Sequence, residues 1–144
     1  MTKPEPQIGQ IIRYDYLWRD EREQGRVEGS KDRPCAVIVA LQRHENGLQN
    51  VYVAPITHSP PLDGQPAIEI ASQFRALTGL DHERSWLILT ELNRVDWSDP
   101  GIVPVRPDQW FYGSLPRAIA QRALEQIVEL HRKRALLTVD RNPG

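Results

Sequence analysis

Three parts of a phosphodiester-cleaving site stand out in this sequence by residue type and place. Arg33 opens an apolar run, a Thr57-His58 pair closes a second, and Glu91 lies within a third. An arginine, a hydroxyl and a carboxylate are the groups that metal-free RNA cleavage requires. One group takes the 2′-OH proton, one protonates the leaving oxygen, and a cation holds the charge that gathers on phosphorus. Guanidinium suits the last task because its fork matches phosphate oxygens and it stays charged. Each residue also has a purely structural reading. Arg33 can pair with Asp32 or Glu28, Thr57 can be a β-branched packing residue, and Glu91 can face solvent from a strand.

Other chemistries find no support. The chain has no Gly-rich phosphate loop, no G-x-S-x-G elbow and no CxxC or HExxH pairing. His44, His58, His82 and His131 are scattered, so neither a metal nor another cofactor is expected. Cys35 sits inside an apolar run, where a cysteine behaves as a small inert core residue.

The elements that must position these residues are set off by 12 prolines among 144 residues, which break helices and central strands. Residues 8–18 place Ile12, Tyr14 and Tyr16 on one strand face, with Arg13 and Asp15 on the other. Residues 34–41, PCAVIVAL, predict a buried central strand, and residues 51–57 its hairpin partner across a turn at Asn46-Gly47. Residues 67–70 form a shorter strand, 72–77 a helical turn ended by Gly79, and 85–93 the last strong strand. Residues 98–113 look like loop, and the polar stretch 19–32 has the length of a functional loop. From Pro116 the period changes: Leu115, Ile119, Ala123, Ile127 and Leu130 form an amphipathic helical stripe with basic residues at its end. A tail from Asp140 is expected to fray. The pattern is mainly β (α+β), a small curved sheet or half-open barrel closed by one helix.

Composition agrees with a single domain over 1–144, its core at about 8–132. The chain is 40% hydrophobic and 26% charged, as globular domains are. One cysteine cannot form an internal disulfide, no apolar run approaches a membrane span, and MTKPEPQIGQ lacks the core of a signal peptide. A cytoplasmic protein without a membrane partner is therefore expected. The net charge is −1. Only a local basic patch, including Arg13, Arg26, Lys31 and Arg33, offers phosphates a site.

The order of segments resembles the PemK/MazF family of type II toxins from bacterial toxin–antitoxin systems, as a divergent member. The matching pieces are Gly9-Gln10-Ile11-Ile12, a charged loop with Gly25 and Gly29, Arg33-Pro34-Cys35-Ala36-Val37-Ile38-Val39, and Pro55-Ile56-Thr57. Ser85-Trp86-Leu87-Ile88-Leu89, Glu91, Arg94-Val95-Asp96 and the final helix follow in the same order. The resemblance implies an SH3-like small β-barrel of about five to seven strands with a C-terminal helix, usually a homodimer. It implies a metal-independent, sequence-specific endoribonuclease acting on single-stranded RNA, by 2′-OH attack that leaves a cyclic phosphate and a 5′-OH. It also implies a cognate antitoxin protein that covers the RNA groove.

By that resemblance Arg33 and Thr57 line the active site, and residues 19–32 shape the groove. Arg13 and Arg94 join Arg33 as candidate phosphate contacts, and Tyr14, Trp18 or Trp86 as candidates to stack on unpaired bases. Arg26 and Lys31 belong to the same candidate RNA surface. The acid/base residue stays open. Alignment on Asp96-Trp97 puts Thr90 at the family's acidic position, and a one-residue shift restores Glu91 but turns its side chain to the other sheet face. His58 can substitute, since imidazole titrates near neutral pH. The alternative class is a non-catalytic, protein-binding toxin or an inactive module on the same barrel.

Overall fold

The computed structural model describes residues 3–142. Nine strands build one sheet around three central ones: β1 (Gln10–Tyr14), β2 (Arg33–Ala40) and β3 (Asn50–Thr57). β2 pairs antiparallel with both neighbours, in the register Ile11↔Ala36 on one side and Cys35↔Pro55 on the other. A bulge at Val37–Val39 bends the β2–β3 hairpin.

The continuous apolar character of β2 has a direct cause: both faces of the central strands are covered. Ala36 and Ile38 join a core with Ile56, Leu87 and the helix α3 (Arg117–Arg132). Cys35 and Val37 point the other way, into a second core with Ile12, Tyr14, Tyr16 and Trp97. The helix buries Ala120, Ala123 and Ile127, with Ile119 and Leu130 packed beside them, so the stripe seen in the sequence is the face that docks.

Both outer edges of the central trio fork. β5 (Ser85–Ile88) and β6 (Glu91–Asp96) share one edge of β3, through Ile56↔Leu87 and Val53↔Asn93. The expected single strand over 85–93 is therefore broken at Leu89-Thr90, and its halves diverge. β5 pairs outward with β4 (Ala67–Ile70), and β6 with β9 (Leu137–Asp140), the one parallel pair among the described residues. On the far side β1 carries β7 (Ile102–Val103) and β8 (Phe111–Ser114), two short strands where loop was expected. The result is a strongly branched, mainly antiparallel sheet that does not close into a barrel. The strand count exceeds the expected five to seven because these two-to-four-residue pieces carry too little periodicity to be read.

Two further expectations change. The stretch after Trp18 begins with a short helix, α1 (Arg19–Glu23), with Asp20 and Glu21 in its positive first turn. The tail does not fray at Asp140. β9 continues the sheet, and the Arg141 side chain, only 7% exposed, reaches Asp15 at 3.3 Å. The packed core thus extends past 132, held by contacts such as Arg141 to Asp15, 126 positions apart, that no local pattern announces. The helical turn ends at Gly79 as expected: α2 (Arg75–Thr78) stops where Gly79 takes φ 71° and passes close against the Tyr112 carbonyl.

Candidate functional site

The register of β2 and β3 sets up the site. The β2–β3 pairing ends at Cys35↔Pro55, and Arg33 and Thr57 lie two residues beyond that last pair, where the sheet opens and both line the same clefts. On its other side Arg33 pairs with Tyr14. The Arg33 guanidinium carbon sits 5.0 Å from the centre of the Trp18 ring. Its Nε is enclosed without a hydrogen-bond partner. Among the described residues no carboxylate pairs with it, because Asp32 is taken by Arg13 at 3.2 Å. The purely structural reading of Arg33 as a partner of Asp32 or Glu28 does not hold.

Arg33 and Thr57 form the ridge between two adjoining clefts. One, of about 680 Å³, is also lined by Lys31, His58, His82 and Arg106. The other, of about 360 Å³, is bounded by Trp18, Leu62 and Gln65. Like Arg33, neither Lys31 nor Arg106 has an ion-pair partner among the described residues, so three cations face the ridge without internal neutralisation. The Thr57 oxygen accepts a hydrogen bond from the Ser59 amide at 3.1 Å, which leaves its own O–H to donate outward.

His58 reaches the same cleft but is tied down. Its Nδ1 faces the Arg84 carbonyl at 2.8 Å and its Nε2 faces Asp81 at 3.0 Å and Glu83 at 3.3 Å. With oxygen acceptors on both nitrogens the imidazolium is favoured. The Arg84 carbonyl, then the two carboxylates, hold its pKa above the usual histidine value despite some burial. A ring with both N–H groups committed is no free base. The ligand atoms of His58, Asp81 and Glu83 lie within 4.8 Å of one another, the one group among the described residues with that geometry, and all three are exposed. Sequence reading found no metal-ligand spacing because the loop brings Asp81 and Glu83 to His58 from 23 and 25 residues away.

Glu91 is not brought to Arg33 and Thr57. It opens β6, half-buried, where its Oε1 accepts hydrogen bonds from the Tyr16 hydroxyl and the Arg19 amide, both at 3.1 Å. Burial raises its pKa, partly offset by those two donors. It lines a third cleft, of about 640 Å³, on the far side of Trp18. The neighbouring Thr90 hydroxyl accepts from the Gln65 amide at 3.4 Å.

The other candidates divide by burial and pairing. Trp18 is half-buried and lines the clefts on both sides of it. Tyr14 is fully buried in the second core and Trp86 is 7% exposed, its ring covered by the Arg84 guanidinium at 4.9 Å, so neither presents a free face to a base. Arg13 is paired with Asp32, Arg26 with Glu21 at 3.2 Å and Arg94 with Asp140 at 2.8 Å, which leaves Lys31 as the free charge of that group. Cys35 is buried, and burial drives its thiol well above the ordinary range, so it stays protonated. Sequence reading missed Arg106 and Gln65, which sit in irregular segments with no period to mark their direction.

Among the described residues no helix is long and apolar enough to cross a membrane. Compared with known proteins, the chain matches no family model and no curated protein.

Proposed function

We propose that this protein binds single-stranded RNA along the Arg33–Thr57 ridge and cleaves it without a metal, as an endoribonuclease toxin of the PemK/MazF kind. The observation that carries the proposal is Arg33: a cation held in place by an indole ring, with no internal counter-charge, beside a free hydroxyl in an open cleft. A guanidinium without a counter-charge at the edge of an open cleft is available to an anion, and a phosphodiester meets its fork with two oxygens. Arg33 would hold the charge that grows on phosphorus, and Thr57 would donate to a non-bridging oxygen. Lys31 and Arg106 would track the flanking phosphates. The 2′-OH would attack phosphorus and lose its proton to water. The 5′ oxygen would leave with a proton from the His58 imidazolium, once that N–H exchanges its Asp81 acceptor for the leaving oxygen. The sheet would be an opened-out relative of the SH3-like barrel. A homodimer and a cognate antitoxin that covers the ridge belong to the same proposal.

Incubation of the purified protein with a long single-stranded RNA in EDTA tests it. Discrete fragments with 5′-hydroxyl ends are expected, and intact RNA overturns the nuclease.

One specific observation favours a second reading, a non-catalytic binding module. Glu91 lies across Trp18 from Arg33, and His58 has both nitrogens engaged, so no free base stands beside the pair. RNA that binds at the ridge yet survives intact selects this reading.

A further inference from the structure

The three clefts are one groove in series. The Lys31–Arg106 cleft meets the next at Arg33 and Thr57, and that one meets the Glu91 cleft at Trp18 and Gln65. Charge is segregated along it. The first end carries the unpaired Lys31, Arg33 and Arg106, its Asp32 and Asp81 being engaged by Arg13 and His58. The last carries Glu91 and Asp20, with Arg19 paired to Glu23 and Arg26 to Glu21. A phosphate is attracted to one end and repelled from the other.

The acidic end has the parts of a base pocket. Trp18 and the exposed Leu137 supply apolar walls. Glu91 presents one free acceptor: its Oε1 is filled by the Tyr16 hydroxyl and Arg19 amide, whereas Oε2 has no partner among the described residues and is not enclosed. An accessible, half-buried carboxylate oxygen between apolar walls selects a flat group that donates, and carbonyl oxygens are turned away. Resting on the proposed RNA reading, we infer that this cleft is a base-reading subsite that accepts a hydrogen bond from the exocyclic amine of a nucleobase, cytosine N4 being the simplest. It disfavours uracil, which puts the O4 acceptor in that place and has only N3–H to donate.

The neighbours of Glu91 sharpen the consequence of one substitution. In Glu91→Gln the Arg19 N–H still demands an acceptor, so the glutamine carbonyl must occupy the Oε1 place. Its NH₂ then faces the cleft and turns the acceptor into a donor, which suits the O4 of uracil.

Binding of labelled octamers of cytidine and of uridine, by anisotropy at pH 7.5 in EDTA, tests the inference. The wild type is expected to bind the cytidine octamer at least about fivefold more tightly, the low end of discrimination by a good base contact. Glu91→Gln is expected to abolish or invert that ratio while far-UV circular dichroism stays native. Equal wild-type affinity for the two octamers, or an unchanged ratio in the variant, overturns the subsite and leaves the Arg33 reading standing if long RNA still binds. Failure to bind any RNA removes both.

Discussion

The Arg33 guanidinium stacks 5.0 Å from the centre of the Trp18 ring, and the arginine's Nε is shut in without a hydrogen-bond partner. Stacking fixes the cation without neutralising it, so its charge remains available to a ligand. That distinguishes Arg33 from Arg13, Arg26 and Arg94, whose charges are spent on Asp32, Glu21 and Asp140.

Trp18 should therefore matter to RNA binding through Arg33. A cation–π contact is worth about 0.5–2 kcal/mol depending on desolvation. Trp18→Ala is expected to raise the Kd for a single-stranded RNA by roughly 3- to 30-fold, with Trp18→Phe in between. Anisotropy titrations check this, and equal affinity for all three proteins contradicts it.

His58 should titrate above the ordinary histidine value of about 6.5, because the Arg84 carbonyl and the Asp81 and Glu83 carboxylates favour its charged form. A raised folded-state pKa means the stabilisation is complete below the unfolded value and fades as pH rises through the folded one. The tie between the end of β3 and residues 81–84 should loosen over that window. Following the His58 ring protons by NMR measures the pKa directly. Asp81→Asn should lower it, and a wild-type value at or below 6.5 contradicts the geometry.

Glu91 has the opposite consequence for stability. Its folded pKa is raised above 4.5 by burial, so ionisation costs the folded state, and the cost appears as pH rises past the unfolded value. Glu91→Gln should equal or exceed the wild type in stability at pH 7, and the difference should vanish below about pH 4, where the wild-type carboxyl is protonated. Urea unfolding at both pH values tests this. A variant clearly less stable at pH 7 contradicts it.

Much of this architecture was legible in residue order. The run 34–41 announced a strand buried on both faces, and the three-and-four spacing from Leu115 announced the helix, because each pattern repeats over several residues. The hairpin read from 34–41 and 51–57 places Arg33 and Thr57 at the lining of the same clefts. What stayed hidden depends on distance. The split at Leu89-Thr90 sends β5 and β6 to different partners, a choice made by β4 and β9 rather than by the local sequence. Tyr14 and Trp18 look alike as aromatic residues near a basic loop, yet one is in the core and the other on the groove. Glu91 ended across Trp18 from Arg33 because strand alternation fixes a face without saying which wall of a groove that face becomes.

The C-terminal arm carries another consequence of distance. Arg141 lies over the Tyr14 ring at 5.1 Å and donates to Asp15, Asn93 and the Val27 carbonyl, so it pins the groove loop to β6. Removing one partner of a buried pair costs about 3–5 kcal/mol, and Asp15 is 22% exposed, which lowers the expectation to about 2–3 kcal/mol for Arg141→Ala. Urea unfolding gives the value. A loss below about 0.5 kcal/mol, the scale of an exposed pair, contradicts the pinning.

The most direct measurement is cleavage of a long single-stranded RNA in EDTA by the wild type and by Arg33→Ala. The account predicts fragments with 5′-hydroxyl ends from the wild type. A loss of at least about 100-fold is expected in the variant, the scale of deleting one charge-stabilising donor, with a folded protein and only a modest fall in the unfolding midpoint, since the Trp18 stacking is lost but no ion pair is broken. Wild-type cleavage rates from a folded Arg33→Ala protein would contradict it.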